Sequence, residues 1–317
     1  MDGGTPLCPL QIKHNKKMTL AQKIQEITRH HLKNENGVAL GQCLTAVGWV
    51  GGTVPELTQE DGLIELPMSD VANGGVAVGL ALAGRRPIYI VSYQGFQWYN
   101  AVTILNYAAK SKEMWGIPCP VFVRSIGMDG GIGPVASGSH HGIYNRMPGI
   151  SIVAPMTPGE YQQAWDYFMK HDDPIYVSEH RRGFPVDYEM EDVILPKADV
   201  TLFPISSTRL NAIEAAKSLS AEGITCNIVH LLWLKPFVVE ERIRRALLGS
   251  KGKGLVLDGD FENGVAKSIA FDIMRSIPDA RMEVLALEER TAGFAPHLDN
   301  LPPVPDKIAG FIRKMIS

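Results

Sequence analysis

A few segments of this sequence combine residue types and settings that can do chemistry. Asp70 stands at the start of a predicted helix in Ser69-Asp70-Val71-Ala72-Asn73-Gly74-Gly75. A carboxylate there can move a proton, or it can simply meet the positive end of the helix dipole. The stretch Tyr93-Gln94-Gly95-Phe96-Gln97-Trp98-Tyr99 follows a predicted strand and holds four aromatics in seven residues. Such a cluster either fills a core or offers a stacking face to a flat heterocycle. The glycine-rich run Gly127 to Gly133 leads to Ser139-His140-His141-Gly142, where bare backbone amides can approach an anion or a cofactor. The two histidines suit proton transfer or charge stabilisation better than metal binding, because neighbours on an extended strand point to opposite faces. Asp258-Gly259-Asp260 reads as a turn between a strand and a helix, and no metal ligands are assigned.

These segments need a scaffold that gathers them. Thr19 and Gln22 form a capping box for a helix over 19–33 that places Leu20, Ile24, Ile27 and His31 on one face. Further helices are predicted over 69–84, 98–110 and 158–171, and strands over 38–40, 87–91, 120–123 and 175–177. Periodicity lapses between Arg181 and Val200 in a Gly, Pro and acidic stretch. A second series follows, with strands over 200–203, 225–231, 254–257 and 283–286 and helices over 210–221, 240–247, 265–274 and 306–315. The alternation specifies an α/β protein of two open, mostly parallel-sheet domains covered on both faces. The expected divisions are an N-terminal arm at 1–17, a first domain at 18–182, a linker at 183–197 and a second domain at 198–317. Ligands of such sheets bind beyond the carboxyl ends of the strands, where the aromatic and glycine-rich segments fall.

A chain of 317 residues has room for two cores. With 45% apolar and 21% charged residues it belongs with folded, turn-rich proteins, not disordered or fibrous ones. Its 31 Lys and Arg against 34 Asp and Glu give a net charge of −3, which offers no general attraction to nucleic acid or to an anionic membrane. A small molecule or another protein is the expected partner. Cys8, Cys43, Cys119 and Cys226 are scattered without a CxxC pair, which argues against a zinc knuckle or disulfide framework and fits a reducing cytoplasm. The longest apolar run, Gly74 to Gly84, is studded with glycine and falls short of the roughly 20 residues of a membrane span. Walker, GxSxG, HExxH and strand-anchored GxGxxG signatures are missing.

The blocks Pro67-Met68-Ser69-Asp70, Gly75-Val76-Ala77-Val78-Gly79, Ala83-Gly84-Arg85-Arg86-Pro87, Asn106-Tyr107-Ala108-Ala109-Lys110 and Met114-Trp115-Gly116 stand in an order that resembles the β subunit of thiamine-diphosphate-dependent 2-oxo acid dehydrogenases. So do Gly130-Gly131-Ile132-Gly133 ahead of a histidine, and Met147-Pro148-Gly149-Ile150 before Val153-Ala154-Pro155. Leu231-Leu232-Trp233-Leu234-Lys235-Pro236-Phe237 resembles a segment of the transketolase C-terminal domain. The resemblance implies a pyrimidine-binding fold followed by a transketolase C-terminal domain, with thiamine diphosphate as cofactor. It also implies a diphosphate-binding α-type partner subunit that carries a GDG motif and holds Mg²⁺, because this chain contains no GDG. The implied assembly is an α2β2 heterotetramer.

The family's glutamate at N1′ of the aminopyrimidine corresponds to Asp70, the same acid with about 1.5 Å less reach. By the same resemblance Phe96 stacks on the pyrimidine, Gln42 replaces an acid beside that pocket, and Tyr99 is a further cofactor-binding candidate. His140 or His141 is the implied active-site histidine, on a segment to Pro148 that is shorter than in the dehydrogenases; this implies a changed substrate or acceptor. The implied function is that of a pyrimidine-binding subunit acting on a 2-oxo acid as a dehydrogenase or decarboxylase. The alternatives are a split transketolase subunit acting on a ketose and a non-catalytic assembly subunit of the same fold.

Overall fold

The structure, a computed structural model, describes residues 18–46 and 48–317. The arm expected at 1–17 lies outside the described residues. The first element is helix Leu20–Asn34, started by the expected capping box: Thr19 Oγ1 accepts from the Gln22 amide at 3.3 Å and Gln22 Oε1 accepts from the Thr19 amide at 2.9 Å. Its buried stripe of Leu20, Ile24, Ile27 and Leu32 packs on the first sheet beside helix Pro158–Lys170. Burial stabilises each such side chain by about 1.5–3 kcal/mol.

That sheet is built from β1 (Val38–Gln42), β2 (Leu63–Leu66), β3 (Pro87–Tyr93), β4 (Phe122–Gly127), β5 (Ser151–Val153), β6 (Ile175–His180) and, from the second half of the chain, β9 (Trp233–Lys235). Their order is β2-β1-β3-β4-β6-β5-β9, parallel throughout except where β9 runs antiparallel to β5. The second sheet, β11-β10-β7-β8, is wholly parallel and comprises β7 (Val200–Pro204), β8 (Cys226–Ile228), β10 (Lys253–Phe261) and β11 (Arg281–Leu287). The expected fold of two mostly parallel α/β sheets is therefore observed. The units share more than the sequence suggested, since β9 completes the first sheet. One apolar cluster also runs without a break from Leu40 and Ala77 in the first unit through Tyr144 to Phe203, Val256 and Ile269 in the second.

Several expected elements need correction. The helix expected over 98–110 is one rod reaching Trp115, in which a π turn at Ile104–Ala108 joins Gln97–Thr103 to Ala109–Trp115. The strand expected over 225–231 is only three residues long, and β9 follows it. Ser69 sits at the N-cap of helix Asp70–Leu82 but makes no side-chain capping bond, so the expected cap is absent. Asp258-Gly259-Asp260 is no turn: it lies inside β10, at a register shift between Leu257 and Phe261. The stretch 183–197 is hydrogen-bonded to both units. Glu189 accepts from the Gly159 amide at 2.7 Å, and Asp192 accepts from Arg242 Nη1 and from the His230 amide, each at 2.8 Å.

Candidate active site

Two helices on the same face of the first sheet build the polar centre. Helix Asp70–Leu82 starts with the carboxylate, and helix Gln97–Thr103 carries Asn100. They approach closely because Gly74 has no side chain; a Cβ there would lie 2.2 Å from Thr103 Oγ1 and 3.0 Å from the Asn100 carbonyl oxygen. This contact brings Asn100 Nδ2 to 2.8 Å from Asp70 Oδ1. Gln42 Nε2, at the carboxyl end of β1, donates to the same oxygen at 2.8 Å. Both amides therefore hold Oδ1, and Oδ2 has no hydrogen-bond partner among the described residues.

A second layer fixes those amides. Asn73 Nδ2 donates to Gln42 Oε1 at 3.3 Å and to the Pro67 carbonyl at 2.8 Å. Tyr89 hydroxyl donates to Asn100 Oδ1. Burial, and then the Asp70 charge, push the Tyr89 hydroxyl pKa above its usual value, so the ring stays a neutral donor. Asn100 Nδ2 also donates to the Phe96 carbonyl at 2.9 Å, which links the carboxylate to the backbone that carries the aromatic ring. Phe96 itself is half-buried against Tyr93, with ring centroids 6.1 Å apart. Trp98 and Tyr99 are exposed, as are Met68, Val71 and Val102 nearby in the chain.

The glycine-rich segment crosses the end of this arrangement. Gly95 packs so tightly on it that a Cβ would sit 1.3 Å from the Val135 carbonyl oxygen. His140 follows in an irregular loop, 6% exposed, with its ring edge-on to Trp98 at 6.5 Å. Its Nε2 lies 3.1 Å from the Ser137 carbonyl, which can only accept, so Nε2 carries the hydrogen and Nδ1 keeps the lone pair. Burial pushes the His140 pKa down, favouring that neutral form.

His141 is placed otherwise. It is fully buried, with Nδ1 3.1 Å from Ser178 Oγ and Nε2 3.0 Å from Asp258 Oδ2. Burial opposes its charge, but Asp258, and Asp260 behind it, overcome that and raise its pKa to about 9. Both nitrogens of the ring are thus engaged inside the protein. The two adjacent histidines meet different partners, His140 the Ser137 carbonyl and His141 the Ser178 hydroxyl and Asp258.

The structure brings Gln42 to Asp70 and connects Phe96 to Asp70 through Asn100; no hydrogen bond joins either histidine to Asp70 among the described residues. Sequence reasoning missed Asn73, Tyr89, Asn100 and Asp258. Asn73 and Asn100 carried a readable signal, since asparagine is a poor helix-interior residue, and these stand three residues after Asp70 and four after Phe96. A cavity of about 160 Å³, with Ser92, Tyr93, Met128 and Arg181 in its wall, opens at the carboxyl ends of β3 and β4. Among the described residues no cluster of His, Cys, Asp and Glu could hold a metal ion, and no helix is long and apolar enough to cross a membrane.

Residues 16–186 match the family described as the transketolase pyrimidine-binding domain, and residues 192–296 match the transketolase C-terminal domain. The chain is 28% identical over 292 residues to the 2-oxoisovalerate dehydrogenase subunit beta of Bacillus subtilis, covering 81% of this chain and 84% of that one. It is 26% identical over 279 residues to the acetoin:2,6-dichlorophenolindophenol oxidoreductase subunit beta of Cupriavidus necator, covering 80% of each. Among solved structures it is similar to a split-gene transketolase described as an inactive beta4 tetramer, with a TM-score of 0.70, 18% identity and coverage of 94% and 96% of the two chains. It resembles the transketolase of Campylobacter jejuni with a TM-score of 0.68 and 17% identity, covering 94% of this chain and 47% of that one.

Proposed function

The chain belongs to the transketolase pyrimidine-binding domain family, and from that premise we propose that it is the pyrimidine-binding, β-type subunit of a two-component thiamine-diphosphate-dependent enzyme acting on a 2-oxo acid. The observation that carries the reading is the Asp70 carboxylate, immobilised through Oδ1 by two amides while Oδ2 is left available beside an aromatic segment. That donor set fits the pyrimidine half of the cofactor: one oxygen to meet a ring N–H and one ring to stack on. When bound, thiamine diphosphate supplies a nucleophilic thiazolium carbon that attacks a carbonyl next to the bond to be broken.

The residues of this chain have separable tasks. Asp70 holds and moves a proton at the pyrimidine N1′ through Oδ2. Gln42 and Asn100 fix the plane of its carboxyl group, so the shorter acid always presents the same edge. Phe96 gives the stacking face, with Tyr99 at its exposed rim. His140 accepts or returns a proton on the substrate side through Nδ1. His141, held by Asp258, is assigned the task of holding the loop that carries His140.

A partner chain is integral to the reading. The chain spans 47% of the Campylobacter transketolase, and the dehydrogenase and oxidoreductase relatives are themselves named as beta subunits. The exposed apolar side chains Met68, Val71, Trp98, Tyr99 and Val102 lie on or just before the Asp70 helix and its neighbour, as expected of a surface that another subunit covers. We assign the diphosphate and Mg²⁺ to that α-type partner through its GDG motif, and the assembly to an α2β2 heterotetramer in the cytoplasm. The unit boundaries at 18–182, 183–197 and 198–317 belong to the same proposal. A ketose substrate, favoured by the likeness to a split-gene transketolase, is the second reading.

Calorimetry and a dye-reduction assay test this. The chain alone should bind thiamine diphosphate weakly, while the complex with its partner should bind it in an Mg²⁺-dependent manner and reduce an artificial acceptor with a 2-oxo acid. Sub-micromolar Mg²⁺-dependent binding by this chain alone would overturn the two-component reading, and turnover of ketose phosphates in place of 2-oxo acids would establish the second one.

A further inference from the structure

The end of β10 belongs to the second sheet, yet its polar groups serve a loop of the first. Asp258 Oδ2 lies 3.0 Å from His141 Nε2, and both side chains are fully buried. The Gly259 carbonyl accepts from the Ser139 amide at 2.9 Å. Asp260 Oδ2 accepts from the Gly142 amide at 2.7 Å and stands 3.8 Å from His141 Nε2. Successive residues of one strand thus grip Ser139, His141 and Gly142 and straddle His140. Gly142 is itself the only residue type the fit allows without a shift, since a Cβ would come within 2.8 Å of Asp260 Oδ2.

The grip extends along the loop in both directions. Upstream, Asp299 Oδ2 accepts from the Gly131 amide at 2.7 Å, and Ser207 hydroxyl donates to Asp129 Oδ1 at 3.2 Å. Downstream, Lys235 Nζ donates to the carbonyls of Tyr144 and Asn145 at 3.3 and 3.2 Å. From the first unit, Gln94 closes the frame. Its Oε1 accepts from the His140 amide at 2.8 Å, and its Nε2 donates at 2.8 Å to Ser178 Oγ, which also meets His141 Nδ1 at 3.1 Å.

We infer that the C-terminal unit is a positioning element for the histidine loop, with Asp258 acting through His141 to hold His140 in place at the site. One nitrogen of the His141 ring meets the Asp258 carboxylate, and the other reaches Ser178 and through it Gln94, so the carboxylate, three side chains and the His140 amide form one chain of hydrogen bonds. That His140 faces the reaction rests on the reading given above; the clamp itself does not.

The test has two arms. In the full-length chain, Asp258→Asn keeps the shape and removes the charge. Amide hydrogen exchange in residues 139–142 should quicken at least tenfold, while exchange in β3, β4 and β7 stays near wild type. Thr201→Val, which removes a buried hydroxyl bond to the Ala246 carbonyl elsewhere in the second sheet, should leave 139–142 unchanged. If Asp258→Asn does not fold, His141→Gln carries the same expectation. Unchanged exchange in 139–142, or equal loosening by Thr201→Val, would overturn the clamp. In the complex with the partner subunit, Asp258→Asn should lower kcat at least tenfold with KM for the 2-oxo acid within about twofold. An unaltered kcat with a loosened loop would overturn the positioning role, whereas a wild-type complex without turnover would defeat the functional reading and leave the exchange arm to judge the clamp.

Discussion

Asn100 and Asp70 meet across two helices: the Asn100 amide nitrogen stands 2.8 Å from Oδ1 of Asp70 and 2.9 Å from the carbonyl oxygen of Phe96. One side chain therefore sets both the carboxylate and the turn that carries the aromatic ring. Asn100→Leu keeps the number and branching of side-chain heavy atoms but removes the donor, and it strands the buried Tyr89 hydroxyl. An unsatisfied buried group costs about 1–3 kcal/mol, and a carboxylate free to rotate should slow turnover by about 10–100-fold. Urea unfolding and turnover measured on the same preparation check this; lost stability with full turnover would show that Asn100 serves the fold alone.

Stability should fall as the solution becomes alkaline. His141 has its pKa raised from 6.5 to about 9, so the folded state holds a proton that the unfolded chain releases. The stabilisation is complete below about pH 6.5 and is lost as pH rises through about 9, a change on the order of 3 kcal/mol. Asp260, raised by burial to about 6, acts with the same sign at lower pH, because it too binds protons more tightly in the folded state. The melting temperature should drop between pH 7 and 9.5, and His141→Gln should flatten that slope. A slope unaffected by His141→Gln would contradict the assignment.

The ion pair under the first sheet is a different kind of element. Arg124 Nε and Nη2 lie 2.7 and 2.8 Å from the Glu179 carboxylate, which also accepts from Tyr161 hydroxyl at 2.9 Å, and both charged side chains are buried. Glu179→Gln leaves the guanidinium charge without its counter-ion and should cost about 3–5 kcal/mol. Chemical denaturation reads this directly, and a loss below about 1 kcal/mol would mean that solvent reaches the pair.

Gly95 tests the contact between the aromatic segment and the histidine loop. A methyl group there must displace the Val135 backbone, which a Cβ would approach to 1.3 Å. Gly95→Ala should cost about 1–3 kcal/mol as overpacking does, and it should also raise amide exchange in residues 133–138. Wild-type exchange there would show that the two segments move independently.

The sequence made the α/β alternation readable, along with Asp70, the aromatic segment and the histidine pair, because each lies next to a strand or helix end with a pattern of its own. It did not reveal β5 or β9. Three residues are too few to show a period of two, and no local pattern tells Trp233–Lys235 to join the sheet of the other unit. Asp258-Gly259-Asp260 has the composition of a turn, so its role as the partner of His141 emerges only when two distant segments are packed together. The π turn at Ile104–Ala108 likewise leaves the helical spacing on either side intact and so escapes a periodicity argument.

The free oxygen of Asp70 carries the proposed proton transfer, and Asp70→Asn probes it most directly. An asparagine carbonyl can still accept from Gln42 and Asn100, so the fold should be preserved while the proton-bearing charge is lost. Turnover and melting temperature of the complex with the diphosphate-binding partner should be measured together. The expected result is a loss of turnover on the order of 10²–10⁴ with little change in melting temperature. Unchanged turnover, with at most the loss of about 0.3–1 kcal/mol that a carboxylate at a helix N-terminus contributes, would contradict the assignment of Asp70 as the catalytic acid–base.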